Sequence, residues 1–276
     1  IPFTPVSGPR ICIAKGYEKT PIISAINEYI IEYCSLKNLS SWHILFPEKK
    51  LSQTLASKFM QRHAVHFQWF NEGFTNFNDF LATFSSRKRK NLKKERQQVI
   101  DKGIHLEVFT GSNIPEEVWD RFYHFYQMTY AKRSGHGGYL SKSFFRTLAK
   151  TMPEAMVLVL AKHQNEYIAG ALNFRDHDTL YGRYWGCIQE FKHLHFETCY
   201  YQGIDYCIRE GLVRFDPGAQ GEHKIQRGFE PVLTWSNHWI AAEDFRQAIN
   251  NFLETEQGAI LNYIKEAKTY LPFKKD

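Results

Sequence analysis

The most unusual local sequence in this chain is Pro-Gly-Ala-Gln-Gly-Glu-His-Lys, at residues 217–224. Its small residues let the backbone pass close to a ligand, because they carry little or no side chain. Transfer of an acyl group to an amine needs a base for the amine proton and donors for the oxyanion. Glu222 or His223 could be that base, and the predicted substrate contacts are Gln220, Lys224 and Arg227. The alternative is a tight polar turn after a strand, with a surface salt bridge between Glu222 and Lys224.

A second candidate site is the run Leu-Tyr-Gly-Arg-Tyr-Trp-Gly at residues 180–186. The run predicts a strand, and its two glycines could introduce a bulge. Strict alternation places Tyr181, Arg183 and Trp185 on one face. Arg183 and Trp185 are therefore candidate substrate contacts. The alternative is an aromatic core in which Arg183 pairs with a carboxylate.

Three residues have side chains of the metal-ligand type, but their spacing does not suit a metal. On a helix, His193 and Glu197 are neighbours four residues apart, whereas His195 faces elsewhere. We therefore predict no metal site. The group is better explained as a helix cap or as a wall of the site, with Glu197 as a further candidate catalytic residue.

The positive charge of the chain is concentrated in one stretch. Residues 85–96 contain seven Lys or Arg and one Glu, an excess that equals the net charge of +6 for the whole chain. Such a local excess indicates an anionic partner, although a solvated helix face and an RNA-backbone track are alternatives. Because no nucleic-acid fold signature accompanies it, a phosphate-bearing small molecule is favoured over tRNA. The candidate contacts are Lys88, Arg89 and Lys93.

The elements that must position these residues follow from the spacing of apolar side chains. Residues up to 70 alternate between strands and helices, beginning with a strand at residues 11–14, and one long helix is predicted to run from Asn76 or Asn78 to Gly103. From Ile104 the order is strand, two helices, three antiparallel strands, helix and strand, and a last helix spans residues 244–270. The predicted segments are 1–75, 76–103, 104–242 and 243–276.

Composition limits the class of protein. The five cysteines have no C-x-x-C spacing, so we expect reduced thiols and a cytoplasmic location. No apolar run approaches the roughly 20 residues that cross a bilayer. The start, without an initiator Met, is expected to be a boundary inside a larger protein. The glycine-rich link at residues 134–138 is predicted to be a flexible loop, or a lid.

The order after Ile104 resembles the GNAT acyltransferase fold. The basic run at 88–96, followed by Gly-Ile-His-Leu at 103–106, is similar to the junction before the second unit in Fem-type aminoacyltransferases. Further stretches resemble the bacterial FemAB-like predicted N-acyltransferases, which are labelled peptidoglycan biosynthesis/recognition proteins. These stretches are residues 2–10, 180–186, 194–203, 218–224 and 227–229.

The resemblance implies an α/β protein with a mixed sheet, built as a tandem GNAT-like fold whose first unit is N-terminally truncated. It implies an N-acyltransferase that acts on a peptidoglycan precursor or another phosphate-bearing substrate. Because the sequence has no Ser-His-Asp order and no activated-Cys signature, we expect direct attack without a covalent enzyme intermediate. CoA-using members bind pyrophosphate on a glycine-containing loop, whereas residues 189–196 contain no glycine. Fem-type enzymes, which take aminoacyl-tRNA, also lack this loop. The candidate donors are therefore acyl-CoA and aminoacyl-tRNA. The alternative function is a non-catalytic module that binds a cell-wall precursor or tRNA.

Overall fold

The computed structural model of this protein describes residues 5–219 and 221–274. They form two compact units, and both units are discontinuous in sequence. The first contains the described residues up to Phe67, those from Pro231 to Tyr270, and Ala219 and Gly221. The second contains Gln68–Gly218, Glu222–Glu230 and the described residues from Leu271 onward.

The described residues form eight strands and nine α-helices. In chain order these are α1 Lys19–Leu36, β1 Ser41–Leu45, α2 Lys49–Leu55, β2 Met60–Phe70, α3 Phe77–Ala82, α4 Ser86–Ile100, β3 Ile104–Thr110, α5 Glu116–Ser134, α6 Lys142–Thr151, β4 Met156–His163, β5 Glu166–Arg175, β6 Thr179–Cys187, α7 Leu194–Phe196, α8 Gln202–Arg209, β7 Arg214–Asp216, β8 Glu230–Ile240 and α9 Glu243–Thr269. A π-helical turn, Glu197–Tyr201, joins α7 to α8, and a 3-10 helix, Glu222–Arg227, precedes β8. None of these helices combines the length and the apolar character that crossing a bilayer requires.

In the first unit, β8 pairs antiparallel with β1 and lies between β1 and β2 in the sheet. Sequence periodicity missed β8, because two of its buried residues, Thr234 and Asn237, are polar. Asn237 Oδ1 accepts a hydrogen bond of 2.8 Å from Ser52 Oγ, so burial leaves this amide oxygen satisfied. The strand predicted at residues 11–14 is absent, and that prediction was wrong.

The second unit contains the predicted order from Ile104 to Asp216. Its strands lie in the order β2, β7, β6, β5, β4, β3, with β6 and β7 parallel and the pairs from β6 to β3 antiparallel. Neighbouring residues of β4 belong to different cores. Leu160 packs in a core with α5 and α6, whereas Ala161 packs with Val99 of α4 and Leu194 of α7. Helices therefore cover both faces of this mixed sheet.

The single long helix predicted for residues 76–103 is two helices, α3 and α4. Asn76 caps α3, since its Oδ1 accepts hydrogen bonds from the backbone N–H groups of Asn78 and Asp79. The chain between the helices pairs with the C-terminal segment instead of continuing the helix. Ser85 N donates to Pro272 O over 2.9 Å, and Lys274 N donates to Thr83 O over 2.8 Å. A long-range pairing of this kind cannot be read from helical periodicity.

Candidate functional site

A cleft opens in the second unit where the pairing of β6 and β7 ends. The parallel register runs only from Thr179–Arg214 to Tyr181–Asp216. The cleft lies beyond this point, and its lining residues are Ala171, Asn173, Gly182–Trp185, His195, Cys199, Tyr200 and Pro217. Gly182 permits this geometry, because a Cβ there would lie 3.1 Å from the Pro217 Cα. Both strands therefore contribute backbone to the wall of the cleft.

The wall formed by β6 contains the bulge that its glycines suggested. Leu172 of β5 faces Tyr184 and Asn173 faces Gly182, so Arg183 has no partner in the register. Because cross-strand partners share a face, the extra residue puts Trp185 on the side of Gly182 and not on that of Tyr181. The alternation predicted for residues 181, 183 and 185 was therefore wrong at Tyr181. The structure does bring both predicted substrate contacts, Arg183 and Trp185, to the cleft.

The opposite wall comes from α7 and the π-helical turn. The extra residue that a π-turn inserts changes the register of the helix, and here Cys199 and Tyr200 line the cleft together with His195. Burial lowers the pKa of His195 to about 4, so its imidazole is neutral at pH 7. Burial also raises the pKa of the Cys199 thiol well above its usual range. A protonated thiol is a poor nucleophile, so this wall does not favour a covalent cysteine intermediate.

Tyr200 connects the cleft to His223. The Tyr200 hydroxyl lies 2.9 Å from Nε2 of His223, and the two rings are 5.7 Å apart. Partial burial lowers the pKa of His223, a residue that still contacts solvent, with help from the charges of Lys224 and Arg227. Burial raises the pKa of Tyr200. At neutral pH the pair is thus a protonated phenol beside a neutral imidazole, an arrangement that can take up a proton from the cleft.

Lys224 lies next to Tyr200. Its ammonium donates a hydrogen bond of 2.6 Å to the Gly218 carbonyl and lies 6.0 Å from the centre of the Tyr200 ring. The side chain is buried. Burial lowers the pKa of Lys224 to about 8, although the charge of Asp216 opposes the shift. The lysine therefore supplies a positive charge behind the cleft at neutral pH.

The lowered pKa of Lys224 predicts how stability depends on pH. The pKa of this lysine is about 8 in the folded chain and has its ordinary value of 10.5 in the unfolded chain. Between these two pH values the unfolded chain therefore binds more protons at Lys224 than the folded chain does. The contribution of Lys224 to the free energy of unfolding therefore increases as the pH rises through this window, and is constant below it. Urea unfolding at pH 7.5 and 10 should show the wild type gaining stability relative to Lys224→Met. A pH-independent difference would contradict the assignment, and Lys93→Met, at an exposed lysine, is the control.

Arg227 and Glu197 are both buried and both paired within the protein. Arg227 forms an ion pair of 2.9 Å with Glu95, and its guanidinium lies 3.4 Å from the centre of the Phe196 ring. Its Nη1 also donates to the His223 carbonyl over 2.7 Å. Glu197 accepts hydrogen bonds of 2.9–3.2 Å from Arg96. These contacts favour a positioning role for both residues. The sequence had predicted Arg227 as a substrate contact and Glu197 as a catalytic carboxylate.

The remaining predicted residues lie around the 3-10 helix and on α4. Glu222 is exposed at the start of the 3-10 helix and does not line the cleft. Gln220 lies outside the described residues. Lys88 Nζ contacts Gln226 Oε1, so this lysine links α4 to the 3-10 helix. Arg89 is half-buried and Lys93 is exposed on the same helix.

The sequence interpretation missed Asn173 and Tyr200, whereas it grouped His195 with His193 and Glu197 as a helix cap or a wall of the site, and His195 does line the cleft. The position of Tyr200 depends on the π-turn, which a helical pattern does not reveal. Asn173 is a buried strand residue whose Nδ2 donates to the Val157 carbonyl. A polar side chain at a buried strand position was the available signal.

The residues around the site bear on two possible ligands, a metal ion and the pyrophosphate of CoA. Within the described residues, the three metal-type ligand atoms that lie within 4.8 Å of one another belong to Asp176, His177 and Asp178, in the turn before β6. This turn does not include His193, His195 or Glu197. At the start of α7, His193 adopts a φ of 66°, and its Nδ1 lies 3.9 Å from a Glu95 oxygen. A bulky residue and a carboxylate at this point do not fit the pyrophosphate of CoA.

Comparisons with known proteins show the family and the fold of this chain. A family model, FemAB_like, described as peptidoglycan biosynthesis/recognition, matches residues 1–275. The structure of FemX has a TM-score of 0.54 and 13% identity, over 84% of this chain and 80% of that chain. L-PGS from Bacillus licheniformis has a TM-score of 0.54 and 10% identity, over 83% of this chain and 77% of that chain.

A third similar structure is the C-terminal domain of a protein named as a lysylphosphatidylglycerol synthetase, from Agrobacterium fabrum. It has a TM-score of 0.54 and 10% identity, over 84% of this chain and 77% of that chain. No curated protein matches the chain significantly. At these identities the structures show the fold alone, and the mixed α/β class predicted from the sequence is confirmed.

Proposed function

Because this chain belongs to the FemAB-like family of peptidoglycan biosynthesis and recognition proteins, we propose that it transfers an acyl or aminoacyl group to an amine of a peptidoglycan precursor. The observation that carries the proposal is the Tyr200–His223 pair, whose 2.9 Å contact links the cleft to a neutral imidazole. An amine acceptor must lose a proton when it attacks a carbonyl. The cleft supplies an acceptor for this proton beside a bulged strand.

In the proposed reaction the amine nitrogen attacks the carbonyl carbon of the donor directly. A C–N bond forms and the bond from the carbonyl carbon to the ester or thioester leaving atom breaks. That atom leaves as an alcohol or thiol, protonated by the proton that the amine has given to His223. His223 takes the amine proton through the Tyr200 hydroxyl, and Arg183 at the bulge offers a backbone N–H to the oxyanion. The charge of Lys224, 6.0 Å from the Tyr200 ring, stabilises the same negative charge.

We propose an aminoacyl ester, such as aminoacyl-tRNA, as the donor rather than acyl-CoA. The start of α7 does not fit a pyrophosphate, because His193 and Glu95 occupy the position where a phosphate-binding loop needs glycine and backbone donors. The name lysylphosphatidylglycerol synthetase also describes a product with an aminoacyl group. An aminoacyl donor is therefore consistent with both the site and the fold.

The exposed face of α4 supports a phosphate-bearing substrate. Lys93 is exposed there, Arg89 is half-buried, and neither forms an ion pair with a carboxylate among the described residues. Their charge is therefore available to a ligand, whereas Arg96 on the inner face is committed to Glu197. We infer that Arg89 and Lys93 bind phosphate, and that Lys88 acts by holding the 3-10 helix through Gln226.

The function is tested by identifying both donor and product. Native mass spectrometry of the purified protein should show whether CoA, an acylated CoA or tRNA copurifies. The protein is then incubated with a peptidoglycan precursor and either aminoacyl-tRNA or acyl-CoA. We expect an amide product of the precursor with the aminoacyl-tRNA donor. Binding of the precursor without a product from either donor would overturn the enzymatic proposal in favour of a binding module.

A further inference from the structure

Two histidines face each other in the first unit, where β1, the strand at the edge of the sheet, pairs with β8. His43 and His238 are direct partners in the antiparallel register, so both side chains lie on the same face of the sheet. Their Nδ1 atoms are 2.8 Å apart, and their ring centres are 5.0 Å apart. The two imidazoles therefore direct their inner nitrogen atoms to one point between the strands.

The outer nitrogen of each ring has a serine partner on its own strand. Nε2 of His43 lies 3.0 Å from Ser41 Oγ, and Nε2 of His238 lies 2.8 Å from Ser236 Oγ. Histidines that bind metals are oriented in this way, because a hydrogen bond from the outer N–H fixes the tautomer and leaves the inner nitrogen as a ligand. When both outer nitrogens donate to serine, the two Nδ1 lone pairs face each other and repel unless a cation lies between them.

The pair needs only a small movement to hold a metal ion. Two nitrogen ligands of a tetrahedral zinc are about 3.3 Å apart, so the Nδ1 atoms have to separate by about 0.5 Å from their distance of 2.8 Å. The side chain of His43 is exposed and can make this movement by rotation, whereas His238 is half-buried. The exposed side leaves room for water to fill the remaining coordination positions.

One positive charge acts on the pair, and a carboxylate balances it. Arg62 of β2 is close enough for its charge to act on His238. The Nε and Nη2 atoms of Arg62 donate hydrogen bonds of 2.8 and 2.6 Å to Glu256 of α9. This pairing reduces the repulsion that the guanidinium exerts on a cation between the histidines.

We propose that Nδ1 of His43 and Nδ1 of His238 bind a divalent transition-metal ion of the zinc type, with water as the remaining ligands. Imidazole nitrogen suits zinc, copper and nickel, whereas Mg²⁺ and Ca²⁺ prefer oxygen ligands. The bound ion links the edge strand β1 to β8 through side chains, in addition to the backbone pairing. The sequence did not suggest this site, because the two histidines are 195 residues apart. The site is independent of the proposed transferase function, since no step of that reaction uses it.

The test is calorimetric titration of the metal-free whole chain with Zn²⁺ and, separately, with Mg²⁺. We expect saturable binding of Zn²⁺ and none of Mg²⁺. His43→Gln should abolish this binding, because it removes one of the two protein ligands. Ser41→Ala should weaken it about tenfold or more, the usual effect of losing the outer hydrogen bond of a ligating histidine. His105→Gln is the matched control, because His105 is an exposed histidine on strand β3 of the second unit.

Urea unfolding separates the loss of a ligand from the loss of the fold. Without metal, His43→Gln should unfold at the same urea concentration as the wild type, because its position is exposed. With excess Zn²⁺, the midpoint of the wild type should rise, since the ion binds the folded state. The midpoint of His43→Gln should not rise.

An absence of saturable Zn²⁺ binding to the wild type would overturn the proposal and leave a histidine pair that shares a proton. Unchanged Zn²⁺ binding in His43→Gln would contradict it equally. The turn that contains Asp176, His177 and Asp178 is the competing location, so a loss in His177→Gln but not in His43→Gln would place the ion there instead. Equal affinities for Mg²⁺ and Zn²⁺ would rule out a site made of imidazoles.

Discussion

Replacing His223 with asparagine is expected to lower kcat by about 10²–10⁴-fold, the usual effect of removing a general base. Asparagine keeps a polar side chain of similar reach but cannot take the amine proton. Nε2 of His223 lies 2.9 Å from the hydroxyl of Tyr200, which lines the cleft. The measurement is single-turnover amide formation with saturating donor and precursor. Substrate binding and the thermal midpoint should stay close to those of the wild type, because His223 is exposed.

Glu222→Gln is the matched control, since Glu222 is the neighbouring candidate base. Its position outside the lining of the cleft predicts a loss of less than about tenfold. Tyr200→Phe should lower kcat like His223→Asn, because it removes the hydroxyl that connects the two. If Glu222→Gln abolishes turnover while His223→Asn does not, the base is Glu222 and the assignment to His223 is wrong.

The Arg96→Met change is expected to lower the free energy of unfolding of the second unit by about 3–5 kcal/mol. The Glu197 side chain is only 5% exposed, so loss of its partner leaves a buried carboxylate without a counter-charge. Methionine retains much of the contact with Phe77, whose ring centre lies 4.3 Å from the guanidinium. Urea unfolding followed by circular dichroism gives the change. Lys93→Met, at an exposed position on the same helix, should alter stability by less than about 1 kcal/mol.

Two further variants separate a positioning role of Glu197 from a catalytic one. The double change Arg96→Met with Glu197→Leu should recover most of the lost stability, because it removes both buried charges together. Glu197→Gln should lower stability and kcat together, as the π-turn that carries Tyr200 loosens. If Glu197→Gln retains the stability of the wild type and loses turnover, Glu197 takes part in the chemistry.

The helices and strands could be predicted from the sequence wherever the apolar residues follow a single helical or strand period. The strands from Met156 to Cys187 alternate or are uniformly apolar, and the two helices predicted before them are α5 and α6. The pattern failed where distant segments decide the structure. Polar residues of β8 are buried against α2, and the break before α4 pairs with Pro272–Lys274. The burial of β8 and the break before α4 both depend on segments that are distant in the chain. The spacing of nearby apolar residues carries no information about such distant partners.

The sequence could identify several residues of the site by their type, but it could not show how these residues are arranged. The sequence pointed to His223 and Trp185, which the structure brings to the cleft or next to it. It could not show that Arg227 and Glu197 find protein partners, because Glu95 and Arg96 lie on α4, about 100 residues or more earlier. A charged residue is predicted equally well as a ligand contact or as half of a buried pair. Only the three-dimensional contacts distinguish the two.

The discontinuity of both units has a consequence for synthesis on the ribosome. The first unit needs β8 and α9, which are made after nearly all of the second unit, and the second unit needs residues from Leu271 onward. Neither can finish folding while the chain is still being extended through Tyr270. Early strands such as β1 must therefore wait, unpaired, for a partner almost 200 residues later. Because such long-range pairing slows folding, we expect slow refolding after denaturation.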